Sequence, residues 1–107
     1  MAALDNIARD NEGYLVNVSD WNKTIAEELA QEESLQLEDA HWEIIELLRD
    51  FYDEFEQSPA MRIMVKQAAL KLGKEKGSSI YFMRLFPGSP AKLASKLAGL
   101  PKPLNCL

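Results

Sequence analysis

The sequence is poor in the residues that form covalent or metal-bound frameworks, since its 107 residues include one cysteine and one histidine. A single thiol cannot close an internal disulfide, and Cys106 with His41 falls short of the four ligands of a structural zinc site. The sequence therefore predicts neither a disulfide scaffold nor a metal centre. The cysteine is also the penultimate residue, which is an unusual position for a core side chain.

Long apolar runs are absent too. No stretch of about 18 apolar residues is present, and Asp5, Arg9 and Asp10 interrupt the region where a signal peptide needs an apolar segment. With 47% hydrophobic and 27% charged residues, the composition is that of a globular domain rather than a disordered chain. The length leaves no room for a separate cofactor-binding domain. We predict a soluble, cytoplasmic, single-domain protein with no cofactor and no membrane partner.

Charge is divided unevenly along the chain. Residues 1–61 contain sixteen acidic and three basic residues, a formal net charge of −13, whereas residues 62–107 contain nine basic residues and one acidic residue, a net charge of +8. A basic half of this density could face a polyanion. The alternative is that basic and acidic helices pack side by side and neutralise each other.

The periodicity of apolar residues predicts a mainly helical α+β fold. Turn residues at 10–13 before the segment 14–18 predict an N-terminal β-hairpin or meander. Apolar residues at helical spacing then predict about five helices, on which the hairpin packs. Their expected bounds are about 19–31, 39–56, 59–72, 79–85 and 91–98.

The chain after Gly99 has a different character. Pro101 and Pro103 exclude a helix and favour an extended, polyproline-like segment. We predict a helical domain, residues 1–99, and a mobile C-terminal arm, residues 100–107, shaped by Gly99, Pro101, Lys102 and Pro103. At roughly 3 Å per extended residue, such an arm would carry the Cys106 thiol about 20 Å from the domain. It could then enter a cleft of another protein; the alternative is that the cysteine is incidental.

Other candidate residues have simpler interpretations. His41 stands next to Trp42 near the start of the longest predicted helix, far from the cysteine, so capping or packing is expected of it. The carboxylates of that helix spread around its surface and predict a solvated face. The segment 59–86, in the basic half, is also consistent with a helix–turn–helix. A nucleic-acid-binding regulator is therefore an alternative function.

Several blocks of the sequence resemble the DsrC/TusE family, and the TusE branch most of all. The blocks are EGYL at 12–15, HWEII at 41–45, LRDFY at 48–52, SPAMR at 58–62, LFP at 85–87 and AGLPKP at 98–103, followed by Cys106. They occur in one order over nearly the whole chain after about residue 12. The resemblance implies a small helical domain with an N-terminal hairpin or meander and a mobile C-terminal arm.

The resemblance also implies a function. Cys106 would accept sulfane sulfur as a persulfide and pass it on for 2-thiolation of a tRNA wobble uridine. A TusBCD-like complex would be the donor, and an MnmA-like tRNA thiolase with its tRNA would be the acceptor. In that setting Arg62, Lys66, Arg84 and Lys96 of the basic half are candidate contacts with a partner protein or with tRNA.

One position departs from part of the family. The branch that serves dissimilatory sulfite reductase carries a second cysteine where this chain has Ser95, so no disulfide can form within this arm. A DsrC-like interaction subunit or regulator of a sulfite reductase or sulfur-oxidation system therefore stays open as an alternative without two-thiol chemistry.

Overall fold

Five α-helices form most of the molecule. The structure is a computed structural model that describes residues 3–104. The helices are α1 (Lys23–Glu32), α2 (Asp39–Phe55), α3 (Met61–Leu72), α4 (Ser79–Leu85) and α5 (Pro90–Leu97), with short 3-10 turns at Ala3–Asn6, Val18–Asp20 and Lys74–Lys76. The prediction of five helices is confirmed, although α1 begins later than expected. No helix within residues 3–104 combines the length and hydrophobicity needed to span a bilayer.

Polar side chains fix where several helices begin. The Asn22 side chain accepts a hydrogen bond from the Ile25 N–H (2.9 Å), so α1 begins after Asn22 rather than at Ser19. His41 caps α2, because its Nδ1 accepts from the Glu38 N–H (3.0 Å). Its other ring nitrogen, Nε2, therefore carries the proton and donates to the Leu85 carbonyl (2.9 Å). The predicted capping role of His41 is thus observed, and it also ties α2 to the end of α4.

The core is organised around the short C-terminal helix, α5. Although α5 is only eight residues long, it packs against each of the other four helices. Its buried face carries mainly small side chains, Ala91, Ala94 and Ser95, which let the neighbouring helices approach closely. Larger side chains surround it, and those that are fully buried include Ile25, Leu29, Ile44, Ile45, Leu48, Met64, Phe82 and Phe86. The C-terminal helix is therefore the centre of the fold.

The predicted N-terminal β-hairpin is wrong, and the fold is mainly helical. Within residues 3–104 the β-structure is a single antiparallel bridge between Arg9 and Leu15. Tyr14 and Leu15 are adjacent and both buried, whereas neighbouring residues of a strand point to opposite faces. The Asp10 carboxylate accepts from the Tyr14 N–H (3.0 Å) and closes the turn, and a 3-10 turn at Val18–Asp20 ends the extended segment. Too few residues remain for a ladder.

Ionic contacts hold this N-terminal segment on α1. The Arg9 guanidinium donates to both carboxylate oxygens of Glu32 (2.6 and 2.9 Å), and its Nε donates to the Gly13 carbonyl (2.9 Å). The Glu28 carboxylate accepts from the backbone N–H groups of Ala3 and Leu4. The hydrogen bond from Arg9, partly offset by burial, lowers the pKa of Glu32 below its ordinary 4.5. Side-chain pairing thus replaces the strand pairing that the sequence had suggested.

The Arg9–Glu32 pair makes stability depend on acid pH. Replacing Glu32→Gln should lower the free energy of unfolding near pH 7 by less than about 1 kcal/mol, because the carboxylate is 46% exposed. Since the folded-state pKa is depressed, this stabilisation is present above pH 4.5 and disappears as pH falls through the folded pKa. Urea unfolding of both proteins at about pH 7 and about pH 3 measures the difference.

Glu27→Gln is the matched control, because Glu27 is an exposed α1 carboxylate with no ion pair within residues 3–104. It should leave stability unchanged at both pH values. A Glu32→Gln effect of equal size at both pH values would contradict the assignment.

Candidate functional site at the root of the C-terminal segment

The predicted catalytic residue, Cys106, lies outside the described residues. The structure shows the segment that leads towards it, residues 99–104, which we define as the tail root. All the predicted arm-shaping residues belong to this segment. Its contacts determine where the chain leaves the domain.

Gly99 begins the tail root with a backbone that only glycine adopts easily. Its φ is +72°, and a Cβ placed there would lie 2.4 Å from Cδ1 of the Trp21 ring. The turn also brings the Leu100 N–H to the Ser95 carbonyl (2.9 Å). Gly99 therefore both ends α5 and lets the chain pass directly against the indole.

Two side chains hold the end of α5. The Trp21 indole N–H donates to the Leu97 carbonyl (2.8 Å), and Arg49 Nη1 donates to the Ala98 carbonyl (2.7 Å). The Arg49 guanidinium also lies 4.2 Å from the centre of the Trp21 ring. Burial lowers the pKa of Arg49, and the charge of Asp53 opposes this shift. We define Trp21 and Arg49 as the α5 clamp, since they satisfy carbonyls that a helix end leaves free.

The four residues after Gly99 differ in their exposure. Leu100 is fully buried and Pro103 is buried, whereas Pro101 is exposed. The Ser58 hydroxyl donates to the Pro101 carbonyl, and Lys102 Nζ bonds both carboxylate oxygens of Glu12 (3.0 and 3.2 Å). These contacts attach the tail root to α5, to the α2–α3 connection and to the N-terminal turn.

Leu104 is the last residue of the described part of the chain. Its side chain is 90% exposed. From there Cys106 is two residues away, and its Cα lies at most about 7 Å from that of Leu104. The anchored tail root therefore confines the thiol to the neighbourhood of one place on the surface.

Ser95 belongs to the same centre of the fold. It is fully buried on α5, and its hydroxyl has no hydrogen-bond partner within the described part of the chain. The position that corresponds to the second cysteine of the two-thiol branch is thus enclosed by the core in this structure.

The four predicted contact cations lie on three different helices. Arg62 and Lys66 lie one turn apart on the exposed side of α3, and Arg84 is exposed on α4. None of the three has an ion pair among residues 3–104. Lys96 differs, because its Nζ pairs with a carboxylate of α1's C-cap, Glu33 (3.5 Å), and lies 5.3 Å above the Tyr14 ring. Its charge is thus engaged by side chains of the same molecule.

The acidic and basic halves of the chain partly neutralise each other, the second of the two interpretations of the charge pattern. Within residues 3–104 three ion pairs join them: Lys76–Glu43 (2.6 Å), Lys96–Glu33 (3.5 Å) and Lys102–Glu12 (3.0 Å). The cations of α3 and α4 remain directed to solvent. No group of three or more metal-binding side chains occurs in the described part of the chain.

Sequence reasoning missed the main supports of the tail root. Trp21 lies within the range expected for α1 but precedes its N-cap, Asn22, and Ser58 lies two residues before the N-cap of α3, Ala60. Arg49 was counted only as a charge. The available signal was its position four residues after the buried Ile45 on the apolar side of α2, where a cation needs an acceptor.

Comparison with known proteins assigns the family. A model of the "DsrC like protein" family matches residues 2–107. The chain belongs to this family. The chain is 54% identical to the sulfurtransferase TusE homolog of Haemophilus influenzae over 94% of its own length and 93% of that protein. It is 50% identical to the sulfurtransferase TusE of Escherichia coli, with the same coverage. The prediction of a DsrC/TusE-family sulfurtransferase is confirmed.

Solved structures of DsrC-like proteins share the fold. The NMR structure of DsrC from Allochromatium vinosum is 48% identical and superposes with a TM-score of 0.86, covering 94% of this chain and 90% of that one. The crystal structure of the oxidized γ-subunit of the dissimilatory sulfite reductase, DsrC, from Archaeoglobus fulgidus is 33% identical with a TM-score of 0.82, covering 94% and 92%. This chain therefore shares its fold with solved DsrC proteins.

Gly99 should be intolerant of a methyl group for two separable reasons. Gly99→Ala combines a positive φ with overlap on Trp21, whereas Gly88→Ala has a positive φ of +92° but nothing within 4 Å of its Cβ. We expect Gly99→Ala to lower the free energy of unfolding by about 1–3 kcal/mol more than Gly88→Ala. Urea unfolding of both variants measures this. Equal losses would mean that the approach to Trp21 is unimportant.

The α5 clamp should contribute measurable stability. Arg49→Met keeps an apolar stem against Trp21 but removes the donor to the Ala98 carbonyl, at an expected loss of about 1–3 kcal/mol. Lys23→Met is the control, because Lys23 lies over Trp42 at 5.8 Å without a hydrogen bond to the backbone, and should cost less than about 1 kcal/mol. Thermal and urea unfolding give both values. A smaller loss for Arg49→Met than for Lys23→Met would contradict the clamp.

Proposed function

We propose that Cys106 is the catalytic nucleophile of a persulfide-carrying sulfurtransferase. The observation that carries the proposal is the anchored tail root, which ends on a 90% exposed Leu104 two residues before the chain's one thiol. A nucleophile that must reach a second protein needs both a fixed origin and free access. The relatives described as sulfurtransferase TusE support the same chemistry.

The proposed transfer needs no cofactor and no net oxidant. The Cys106 thiolate attacks the outer, sulfane sulfur of a persulfide on the donor protein. A new S–S bond forms on Cys106 as the donor's S–S bond breaks, and the donor cysteine leaves as a thiolate. The sulfane sulfur keeps its proton or exchanges it with water. The same displacement, run by an acceptor nucleophile, then releases the sulfur from Cys106.

In this proposal the domain, residues 1–99, is the support, and residues 100–107 deliver the cysteine. The contacts of Leu100, Pro101, Lys102 and Pro103 hold the first half of the delivering segment, and the two prolines limit its backbone freedom. Fewer conformations are then lost when the segment enters a partner's cleft. Gly99 provides the turn that starts it.

The proposed partners are those of a cytoplasmic sulfur relay. A TusBCD-like complex would supply the persulfide, and an MnmA-like thiolase with bound tRNA would receive it for 2-thiolation of the wobble uridine. Arg62, Lys66 and Arg84 would face the acceptor or its tRNA, since these cations are exposed and have no ion pair within residues 3–104. Lys96, engaged with Glu33 and Tyr14, would contribute less.

A second candidate function is that of an interaction subunit in a sulfur-metabolising assembly. The observation that favours it is the fold shared with the γ-subunit of a dissimilatory sulfite reductase. Because this chain has Ser95 in place of the second cysteine, it would fill such a role with one thiol. The helix–turn–helix alternative has less support, because the exposed side of α4 carries Ile80 and Met83 with a single cation, Arg84.

Replacing the thiol should separate chemistry from folding. We expect Cys106→Ser to keep the wild-type free energy of unfolding and to lose all sulfur loading. The assay incubates each protein with a desulfurase-charged TusBCD-like complex and measures the mass of the C-terminal peptide, which should gain one sulfur atom in the wild type only. Treatment with a thiol reductant is the control and should remove the added mass. Sulfur loading on Cys106→Ser would contradict the proposal.

A further inference from the structure

An apolar groove opens beside the tail root. Its lining residues are Glu56, Gln57, Ser58, Ala60, Ile63, Pro101, Lys102 and Leu104, and its volume is about 280 Å³. We define it as the tail-root groove. Its volume is below the ~300–1,000 Å³ of typical small-molecule and cofactor pockets. The groove therefore suits inserted side chains better than a bound cofactor.

Large apolar side chains are left exposed at this groove. Ile63 of α3 is 42% exposed, and Leu104 is 90% exposed. Exposed apolar side chains gathered around a concave surface are typical of sites that another molecule covers. The groove therefore has the chemistry of a docking surface.

The position of the groove determines what reaches it. Because the Cys106 Cα lies within about 7 Å of that of Leu104, a protein that brings a persulfide to Cys106 must place its own surface close to the tail root. Three tail-root residues, Pro101, Lys102 and Leu104, are also walls of the groove. A donor cannot approach the thiol closely without lying near the groove.

Charge favours a protein over RNA as the occupant. One wall of the groove is Glu56, and the end of α2 before it carries Asp53 and Glu54 with no basic residue in its last turn. The one lysine in the lining, Lys102, is paired with Glu12. Phosphate groups would meet these carboxylates directly, whereas a protein can present an apolar side chain with basic residues beside it.

We propose that the tail-root groove is the docking site for the persulfide donor, which inserts an apolar side chain beside Ile63 and Leu104 while its cleft receives Cys106. This inference rests on the function proposed above. Binding and chemistry are then separate: the groove contributes affinity for the donor, and Cys106 carries out the transfer. Changes in the groove should therefore alter the donor concentration needed rather than the rate at saturation.

The test compares two residues of one helix. Ile63→Glu puts a charge into the groove, and Leu70→Glu puts the same charge on α3 at a 71% exposed position outside the groove lining. With a purified, persulfide-charged TusBCD-like complex as the probe, single-turnover loading of Cys106 is measured against donor concentration. We expect Ile63→Glu to raise the half-saturating concentration roughly tenfold with an unchanged saturating rate, and Leu70→Glu to change neither.

Other results would overturn the proposal. Equal shifts for both variants, or a lower saturating rate with an unchanged half-saturating concentration, would exclude the groove as the donor's docking site. A changed sedimentation coefficient for Ile63→Glu alone would indicate a second copy of the chain as the occupant. A loss of tRNA retention in a gel-shift assay with unchanged donor kinetics would indicate RNA. Faster alkylation of the Cys106 thiol by iodoacetamide without the donor would indicate the chain's own last residues.

A binding measurement keeps this proposal separate from the transfer chemistry. Calorimetry of Cys106→Ser with the same donor complex, with and without Ile63→Glu, reports docking without sulfur movement. Failure of the wild type to load sulfur would count against the proposed function, whereas unchanged donor affinity in the double variant would count against the groove alone.

Discussion

The clamp on the last turn of α5 is the interaction on which the site depends. A helix end leaves carbonyl groups without partners, and in the protein interior such groups are costly. Trp21 and Arg49 satisfy the carbonyls of Leu97 and Ala98 from two different parts of the chain. Because the same carbonyls immediately precede Gly99, the interaction that completes the helix also sets the direction in which the tail root departs.

The central position of α5 explains how so short a helix can fix the direction of the tail root. α5 has only eight residues and would not be stable alone. Its small buried side chains let four helices pack around it, so its orientation is determined from every side. The tail root inherits that rigidity, since Leu100 continues into the same core and Pro103 is also buried.

Much of the helical framework could be predicted from the sequence, and particular residues show why the rest could not. Apolar spacing located all five helices. The hairpin prediction failed because alternation over five residues does not reveal that Tyr14 and Leu15 would both be buried. Arg49 and Trp21 were missed because their acceptors lie 49 and 76 residues away. Cys106 could be singled out because a lone thiol near prolines is unusual in itself, and its role stays a prediction. The groove could not be predicted, because it depends on Ala60 and Leu104, far apart in the chain, lining one surface.

The burial of Leu100 makes the position of the tail root depend on the integrity of the whole domain. A linker that is merely attached to a domain keeps its reach when the domain melts, but here the origin of the linker is part of the hydrophobic interior. Loss of the interior frees the origin, and the tail root is then no longer held at one place on the surface. In the function proposed for Cys106, only a folded molecule would therefore offer the thiol to a partner from a defined origin.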